Sequence, residues 1–274
     1  MITDLDPLNR DFSWRDHEGP FRLISEEQAA QFDRLGYFLL EGVLEPERLA
    51  AVEEQIDRLE AEFEASLDGG ARGITRAGEI TFTTHIVTKS DVVRKFARSQ
   101  PFPDLCMDLL GPDVRLYWDQ AVYKKPETPR EFPWHQDTGY VFTEPQDYLT
   151  CWVPLVNVSV ENGCPWVAPN EHRQGTVRHR SSPLGWVCRE DSEGAVPVEA
   201  KIGDIVVFSA LTPHRTGPNV SPGTRKAYIL QYAVDGTRVL RDGEGREVDV
   251  LCDFPERQFL VAVQGESPAK LRGA

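Results

Sequence analysis

The second half of the chain is built from short segments rich in β-branched and aromatic residues, separated by proline and glycine. Such segments are typical of strands, and Asn162-Gly163 is a strong signal for a tight turn between two of them. Helical patterns come first, without the alternation of helix and strand found in doubly wound folds, and no glycine-rich nucleotide motif is present. We therefore predict a mostly β fold with α-helices, in which strands within residues 113–235 close a double-sheet jelly roll. The predicted strands are Val114–Trp118, Gln120–Tyr123, Tyr148–Val153, Val156–Val158, Ile205–Phe208 and Ala227–Val234.

The segments that flank this core are expected to belong to the same domain, which spans residues 1–274. Residues 1–24 lack periodicity and are predicted to be an irregular arm, and residues 25–112 form a helical N-terminal part. Within that part, Ser25 and Gln28 fit a capping box, a short buried strand follows at residues 37–40, and residues 69–73 are predicted to be a flexible loop. Residues 236–274 are charged and rich in turn signals, so we expect an irregular C-terminal tail. The predicted helices are residues 26–35, a second helix that begins at Pro46, and two shorter ones at residues 91–99 and 103–110.

Charge and cysteine content exclude several classes of function. The formal net charge of −14 argues against a nucleic-acid partner, because nucleic-acid-binding proteins concentrate lysine and arginine. The five cysteines form no CxxC pair, so reduced thiols are expected rather than a disulfide framework or a zinc ribbon. The N-terminus shows no signal peptide, and no apolar stretch approaches the ~20 residues that span a bilayer. We predict a cytoplasmic protein that acts on a small molecule, with no membrane, nucleic-acid or obligate protein partner.

His135-Gln136-Asp137 is the motif with the strongest chemical implication. On an extended strand, residues two apart leave the same face, so His135 and Asp137 can reach one point in space. His214, at the end of a predicted strand over residues 205–211, can add a second imidazole. Two histidines and one carboxylate hold Fe(II) and leave three neighbouring octahedral positions open. We therefore predict His135, Asp137 and His214 as metal ligands and catalytic centre.

Arg225 suggests what the open positions bind. It opens the strand that follows His214, where a guanidinium can bind a carboxylate through two hydrogen bonds. A 2-oxoacid with a second, distant carboxylate needs both features, a metal for its oxoacid end and a fixed cation for its other end. Asp137 favours hydroxylation over halogenation, because a glycine or alanine at that position would open a site for halide.

Three stretches resemble the phytanoyl-CoA dioxygenase family of Fe(II)/2-oxoglutarate-dependent oxygenases. They are WHQDTGYVFTEP at residues 134–145, CWVPLVNVSVENGCPWVAPNEH at residues 151–172 and HRTGPNVSPGTR at residues 214–225. The segment DRLGYFLLEGVL at residues 33–44 is similar to the family's opening, so the likeness extends from about residue 25 to residue 235. The sequence is closer to the hydroxylase domain-containing branch of the family than to the peroxisomal enzyme.

The resemblance implies a cupin-like double-stranded β-helix with iron on the three predicted ligands. It implies that Arg225 binds the far carboxylate of 2-oxoglutarate, that Thr216 is a hydroxyl partner, that Trp152 lines the cosubstrate pocket and that Gln120 faces inward near the metal. The chain departs from the family in having Pro169-Asn170-Glu171-His172 where Pro-Gly-Ser-His is common. A lysine that some members direct at the cosubstrate is replaced within residues 81–85.

The function implied is oxidation of an unactivated C–H bond, with O2 consumed and 2-oxoglutarate converted to succinate and CO2. The substrate is expected to be a small or medium organic metabolite rather than a CoA thioester, and hydroxylation is the expected outcome ahead of desaturation or cyclisation. Two alternatives stay open, a cupin-type metal enzyme that uses no oxoacid and a non-catalytic barrel that binds a ligand.

His172 is expected to be structural and His179 to lie in a solvated loop. Four aromatic residues are either pocket lining or plain core: Tyr140, Phe142, Trp166 and Trp186.

Overall fold

Two antiparallel sheets face each other in the computed structural model, which describes residues 4–268. The helices are α1 (Glu26–Leu35), α2 (Pro46–Ala65), α3 (Asp91–Ala97), α4 (Phe102–Leu109) and the single turn α5 (Asp137–Tyr140), with 3₁₀ turns at Ile86–Thr88 and His172–Gln174. The strands up to the Asn-Gly turn are β1 (Tyr37–Leu40), β2 (Ala71–Arg72), β3 (Thr75–Arg76), β4 (Ile80–Thr84), β5 (Val114–Lys124), β6 (Phe132–His135), β7 (Phe142–Glu144) and β8 (Leu149–Pro154). After it come β9 (Pro165–Val167), β10 (Arg180–Ser182), β11 (Gly185–Val187), β12 (Val196–Pro197), β13 (Ile205–Ser209), β14 (His214–Thr216), β15 (Arg225–Val234), β16 (Arg238–Arg241), β17 (Glu247–Leu251) and β18 (Leu260–Ala262).

The larger sheet runs in the order β1-β13-β8-β15-β5-β4-β3-β2. Strand β18 also pairs with β5, at the first two residues of β5. The smaller sheet runs β12-β9-β14-β6. Buried residues of both sheets, Phe132 and Val167 from the smaller and Trp152 and Phe208 from the larger, share one apolar cluster. The sheets therefore pack face to face, as expected for a jelly roll.

Alternation along the strands of the larger sheet separates two environments. On β8, Cys151 and Val153 pack against the helices, whereas Trp152 faces the smaller sheet. On β15, Tyr228 and Leu230 likewise face the helices. Because side chains alternate between the faces of a strand, one face of this sheet supports the helical layer and the other is left for a site between the sheets.

The N-terminal helices close the outer face of the larger sheet. Ser25 caps α1 through the predicted capping box, with its hydroxyl accepting from the amide of Gln28 and the Gln28 side chain accepting in return. Gly36 ends α1 at φ +82°, in the left-handed region that glycine tolerates best. The apolar stripe of α2 is buried at Leu49, Val52 and Ile56, as predicted for packing on a sheet.

The structure corrects several predicted segments. Residues 114–124 form one continuous strand rather than two, and residues 156–158 form no strand, with only an isolated bridge from Val158 to Ala200. The loop predicted at residues 69–73 contains β2, which pairs with β3. The segment after Gly236 is not irregular, since β16 pairs with β7 and β18 joins the larger sheet. Among residues 4–268, no helix combines the length and apolar character needed to cross a membrane.

Candidate active site

Three ligand candidates meet at one point between the sheets. His135 ends β6, Asp137 opens α5, and His214 opens β14 directly opposite His135 in the pairing of β14 with β6. The Asp137 Oδ1 atom lies 3.9 Å from Nε2 of His135 and 3.8 Å from Nε2 of His214. One ligand atom from each residue falls within 4.8 Å of the others, so a single ion can contact all three.

The route by which Asp137 reaches this point differs from the prediction. The strand ends at His135, and the backbone turns into α5 at Asp137, so the two residues are not on one face of a strand. His214 also does not extend the strand of residues 205–211. It begins a separate strand in the smaller sheet, after β13 has ended at Ser209 in the larger one.

Hydrogen bonds hold each ligand with its donor atom facing the common point. His135 Nδ1 lies 2.8 Å from the carbonyl of Pro133, and His214 Nδ1 lies 3.0 Å from the carbonyl of Thr212. A carbonyl can only accept, so each Nδ1 carries a proton and each Nε2 is the ring nitrogen left to face a metal. The Thr150 hydroxyl donates to Asp137 Oδ2 at 2.7 Å, which leaves Oδ1 for a metal.

Burial keeps the His135 imidazole neutral, as a metal ligand must be. Removal from water lowers the pKa of His135 well below its usual value, and the adjacent His214 lowers it further. The two rings lie 4.2 Å apart, centroid to centroid. Two imidazoles beside a carboxylate match the donor set that non-heme Fe(II) takes.

Gln136 fastens the ligand turn to the rest of the fold, a role that the sequence did not reveal. Its side-chain amide donates to the carbonyls of Gly175 and Leu211, and its Oε1 accepts from the amide of Val177. Its backbone N–H donates to Nε2 of His179 at 2.9 Å. The only signal available was the position of Gln136 between two ligands, which does not tell whether its side chain points inward or outward.

His179 packs against the metal turn rather than lying in a solvated loop, which corrects the prediction. Its ring lies so close to Gly139 that a Cβ at that position would overlap it. Burial lowers the pKa of His179 to about 4, so the ring is neutral and its Nε2 can accept from Gln136. The structural role expected for His172 is observed, since its buried ring donates from Nε2 to the carbonyl of Asp33 and packs edge-on against Trp14.

Arg225 is fully buried on the larger sheet, and no carboxylate of the described residues lies within ion-pair distance of its guanidinium. Its Nη1 donates to the carbonyl of Val122 at 3.3 Å, while its Nε and Nη2 have no hydrogen-bond partner among the described residues. Its guanidinium lies 5.6 Å from the centre of the Trp152 ring. Burial lowers the pKa of Arg225 to about 10. A buried cation with two free donor groups is costly unless a carboxylate reaches it.

A cavity of about 550 Å³ connects the three ligand candidates, Arg225 and the protein surface. All seven predicted site residues line it: Gln120, His135, Asp137, Trp152, His214, Thr216 and Arg225. Of the four aromatic candidates only Tyr140 lines it, since Phe142 packs under Arg241 and Trp166 packs against Arg215. The sequence missed the outer wall, where Phe63, Arg72 and Ile74 come from the end of α2 and the β2–β3 hairpin.

Comparison with known proteins agrees with this geometry. Residues 32–227 match the family model described as phytanoyl-CoA dioxygenase (PhyH). The chain is 26% identical over 235 residues to a probable alpha-ketoglutarate-dependent hypophosphite dioxygenase from Stutzerimonas stutzeri, which covers 77% of this chain and 79% of the relative.

Solved structures show the same fold. EctD from S. alaskensis, solved with 2-oxoglutarate and 5-hydroxyectoine, is 25% identical, with a TM-score of 0.64 over 86% of this chain and 83% of that chain. The epimerase SnoN, solved with Fe3+, alpha ketoglutarate and nogalamycin RO, has a TM-score of 0.70 at 24% identity, over 86% of this chain and 98% of that chain. The predicted cupin-like jelly roll is therefore confirmed.

Proposed function

The chain belongs to the phytanoyl-CoA dioxygenase family, and from this premise we propose that His135, Asp137 and His214 hold Fe(II) and that Arg225 binds the distal carboxylate of 2-oxoglutarate. The predicted enzyme class, a 2-oxoglutarate-dependent dioxygenase, is confirmed by the relatives. The reaction consumes O2, converts 2-oxoglutarate to succinate and CO2, and places one oxygen atom in a C–H bond of the substrate. Placement in the hydroxylase domain-containing branch stays a prediction.

The unpaired Arg225 is the observation that carries this proposal. When bound, the metal supplies the activation of oxygen that is coupled to loss of CO2 from the oxoacid. The protein's part is to fix positions: the two carbonyl-bound imidazoles and the Thr150-bound carboxylate would hold the metal through three donor atoms that face one point. Arg225 then sets the distance between the metal and the far end of the oxoacid, and Thr216, Trp152 and Gln120 complete the wall around it.

The same observation separates the proposal from its alternatives. In a cupin-type enzyme without an oxoacid, Arg225 would have nothing to bind, and its burial without a partner would have no compensation. In a non-catalytic barrel, the hydrogen bonds that aim both Nε2 atoms at one point would serve no purpose. An active Arg225→Ala variant with an unchanged reaction rate would favour the first alternative.

Anaerobic addition of Fe(II) and 2-oxoglutarate to the protein tests the proposal directly. We expect a weak visible charge-transfer band that needs both additions, and its loss in His214→Gln, which removes a ligand without a large change in volume. His17→Gln is a suitable control, since His17 lies outside the cavity, between Asp33 and the carbonyl of Leu109. A folded, iron-loaded protein that shows no band would overturn the proposal.

The outer half of the cavity indicates the substrate class. Its walls are mostly apolar, with Phe63, Ile74, Ile80 and Tyr140 among the lining residues. Arg72 also lines it, lies 5.7 Å from the Phe63 ring, and has no carboxylate within ion-pair distance in the described part of the chain. We infer a medium-sized apolar substrate that carries an anionic group at its outer end.

Substrate screening by succinate release and a mass gain of one oxygen tests this inference. Apolar carboxylic acids should be oxidised in preference to their amides, and Arg72→Gln should reduce that preference through KM. A neutral substrate whose turnover is independent of Arg72 would overturn it. We also propose that the protein is cytoplasmic, which its five free cysteine thiols support. Its partner is proposed to be a small-molecule substrate and not a nucleic acid.

A further inference from the structure

Lys124 lies beside Arg225, where the strands β5 and β15 pair. It is the last residue of β5 and stands directly opposite Arg225 in the pairing of β5 with β15. Its side chain is completely buried, and no carboxylate of the described residues is within ion-pair distance of its ammonium group. Two adjacent buried cations with no carboxylate in direct contact form an arrangement that proteins avoid unless a ligand compensates it.

The neighbours of the Lys124 ammonium are all hydrogen-bond acceptors. Its Nζ lies 3.3 Å from the carbonyl of Arg130, 2.5 Å from that of Gly217 and 3.4 Å from that of Thr216. It also lies 3.2 Å from the Thr216 hydroxyl oxygen. Since carbonyl oxygens only accept, the charged ammonium, which has three N–H donors, can form more hydrogen bonds to these acceptors than a neutral amine can. Burial and the charges of Arg225 and Arg215 lower the pKa of Lys124 more than the charge of Glu131 raises it, so a further anion beside the pair favours the charged form.

The hydrogen bond from Lys124 makes the Thr216 hydroxyl oxygen an acceptor. A hydroxyl that accepts from an ammonium has its own proton free to donate elsewhere. Thr216 lines the cavity near Arg225, and its hydroxyl makes no other hydrogen bond among the described residues. The free proton is therefore available to an acceptor in the cavity.

We propose that Lys124 is a positioning residue for the oxoacid, which holds the Thr216 hydroxyl as a donor to the distal carboxylate that Arg225 binds. The inference rests on the proposed function and extends it to a residue that does not itself line the cavity. Lys124 acts on selection of the cosubstrate: it favours oxoacids with a carboxylate at the far end over those with an apolar end.

Binding to the Mn(II)-loaded protein tests this role without turnover. The two probes are 2-oxoglutarate and 2-oxopentanoate, which has a methyl group in place of the distal carboxylate, and the readout is the dissociation constant from calorimetry. Lys124→Met should weaken 2-oxoglutarate about tenfold, the cost of one charge-assisted hydrogen bond, and should leave 2-oxopentanoate within about twofold. Equal losses for both probes would indicate a merely structural role, and no loss for either would also overturn the proposal.

Thr216→Val provides the matched variant. If Lys124 acts through Thr216, the double variant should bind 2-oxoglutarate within about twofold of Thr216→Val alone, because the two losses are one interaction. Additive losses would overturn this route. If the wild-type protein shows no preference for 2-oxoglutarate over 2-oxopentanoate, the proposed function itself fails. If the wild-type protein shows this preference and Lys124→Met keeps it in full, only the role proposed for Lys124 fails.

Discussion

At the scale of single residues, the hydrogen bond from Thr150 to Asp137 decides how the carboxylate presents itself to a metal. Thr150→Val has nearly the same shape but cannot donate, so Asp137 Oδ2 loses its partner and the carboxylate is free to rotate. Loss of such an outer partner typically costs tenfold to a hundredfold in metal affinity. We expect a loss of about that size for Mn(II), measured by calorimetry, whereas Thr150→Ser should bind as the wild type. Equal affinity of the valine and serine variants would contradict the prediction.

Asp119 gives the protein a pH-dependent stability that is independent of the site. Its side chain is almost completely buried, and burial raises the pKa of Asp119 to about 6, despite hydrogen bonds from the amide of Val87 and the hydroxyl of Tyr228 that favour the charged form. In the unfolded chain the value returns to about 3.9. The folded state therefore binds this proton more tightly, so the contribution of the group to stability is fully present below pH ~3.9 and is lost as the pH rises through about 6.

The corresponding variant is Asp119→Asn, which cannot titrate. Relative to the wild type, its free energy of unfolding should increase as the pH rises from about 4 to about 6, measured by urea denaturation at several pH values. Tyr228→Phe should move the pH dependence of the wild type to higher pH, because a hydrogen bond to the charged carboxylate is removed. A constant difference between Asp119→Asn and the wild type at all pH values would show that the premise is wrong.

Residue types with a direct chemical role could be identified from the sequence, whereas their supports could not. His135, Asp137, His214 and Arg225 carry chemistry that few other residues provide, so their spacing was informative. Gln136 and Thr150 are common polar residues, and Lys124 is an ordinary strand residue until its burial is known. Their roles depend on which groups the fold brings to them.

At the scale of elements, the Asn162-Gly163 turn supports the strand that carries two site residues. Gly163 has φ +89°, and a Cβ there would lie 2.6 Å from the carbonyl oxygen of Gly217, which also accepts from Lys124. Gly163→Ala should therefore combine a backbone cost of roughly 1–2 kcal/mol with a displacement of Gly217. We expect lower stability in urea denaturation and weaker binding of 2-oxoglutarate.

Gly194→Ala is the control for this turn, because Gly194 has a similar φ of +70° but open space around its Cβ position. It should show the backbone cost alone and leave 2-oxoglutarate binding unchanged. Equal destabilisation by the two variants would mean that contact with Gly217 is unimportant.

Elements with a local signal were predicted well, and those defined by distant pairing were not. The capping box of α1 and the stripe of α2 are encoded within a few residues, and both are observed. The break between His135 and Asp137 and the separate strand β14 arise where the chain passes from one sheet to the other, and hydrophobic periodicity does not mark that passage. Strands β16 and β18 are short, and their partners β7 and β5 lie far away in sequence, before the Asn-Gly turn.

At the scale of the whole molecule, the order in which the strands pair determines where the three ligand candidates and Arg225 lie. Strand β1 joins the larger sheet by pairing with β13, a contact between residues 37–40 and residues 205–208 that no local pattern indicates. The jelly-roll class followed from the succession of short strands, but the cavity between the sheets needed the full pairing order. The same architecture buries Arg225 and Lys124, so stability and the proposed binding of the cosubstrate are in conflict.

That conflict leads to a prediction about thermal stability. Replacing an uncompensated buried charge with an apolar side chain of similar length is often neutral or stabilising. Arg225→Met should therefore melt at the same temperature as the metal-loaded wild type or higher, when no oxoacid is present. Saturating 2-oxoglutarate should raise the melting temperature of the wild type, since a ligand at about 100 times its Kd adds ~2.7 kcal/mol to the stability of the folded state. It should have little effect on Arg225→Met.

Arg215→Met is the matched control, because Arg215 is a buried arginine that, unlike Arg225, has a carboxylate beside it. Its guanidinium pairs with Glu131 and packs against the rings of Trp134 and Trp166, on the face of β14 opposite to the cavity. Removing it breaks an ion pair and two ring contacts, so the melting temperature should fall, while the rise induced by 2-oxoglutarate should persist. If Arg225→Met instead melts at a lower temperature than Arg215→Met without oxoacid, then Arg225 stabilises the fold by itself and does not need a bound carboxylate as its partner.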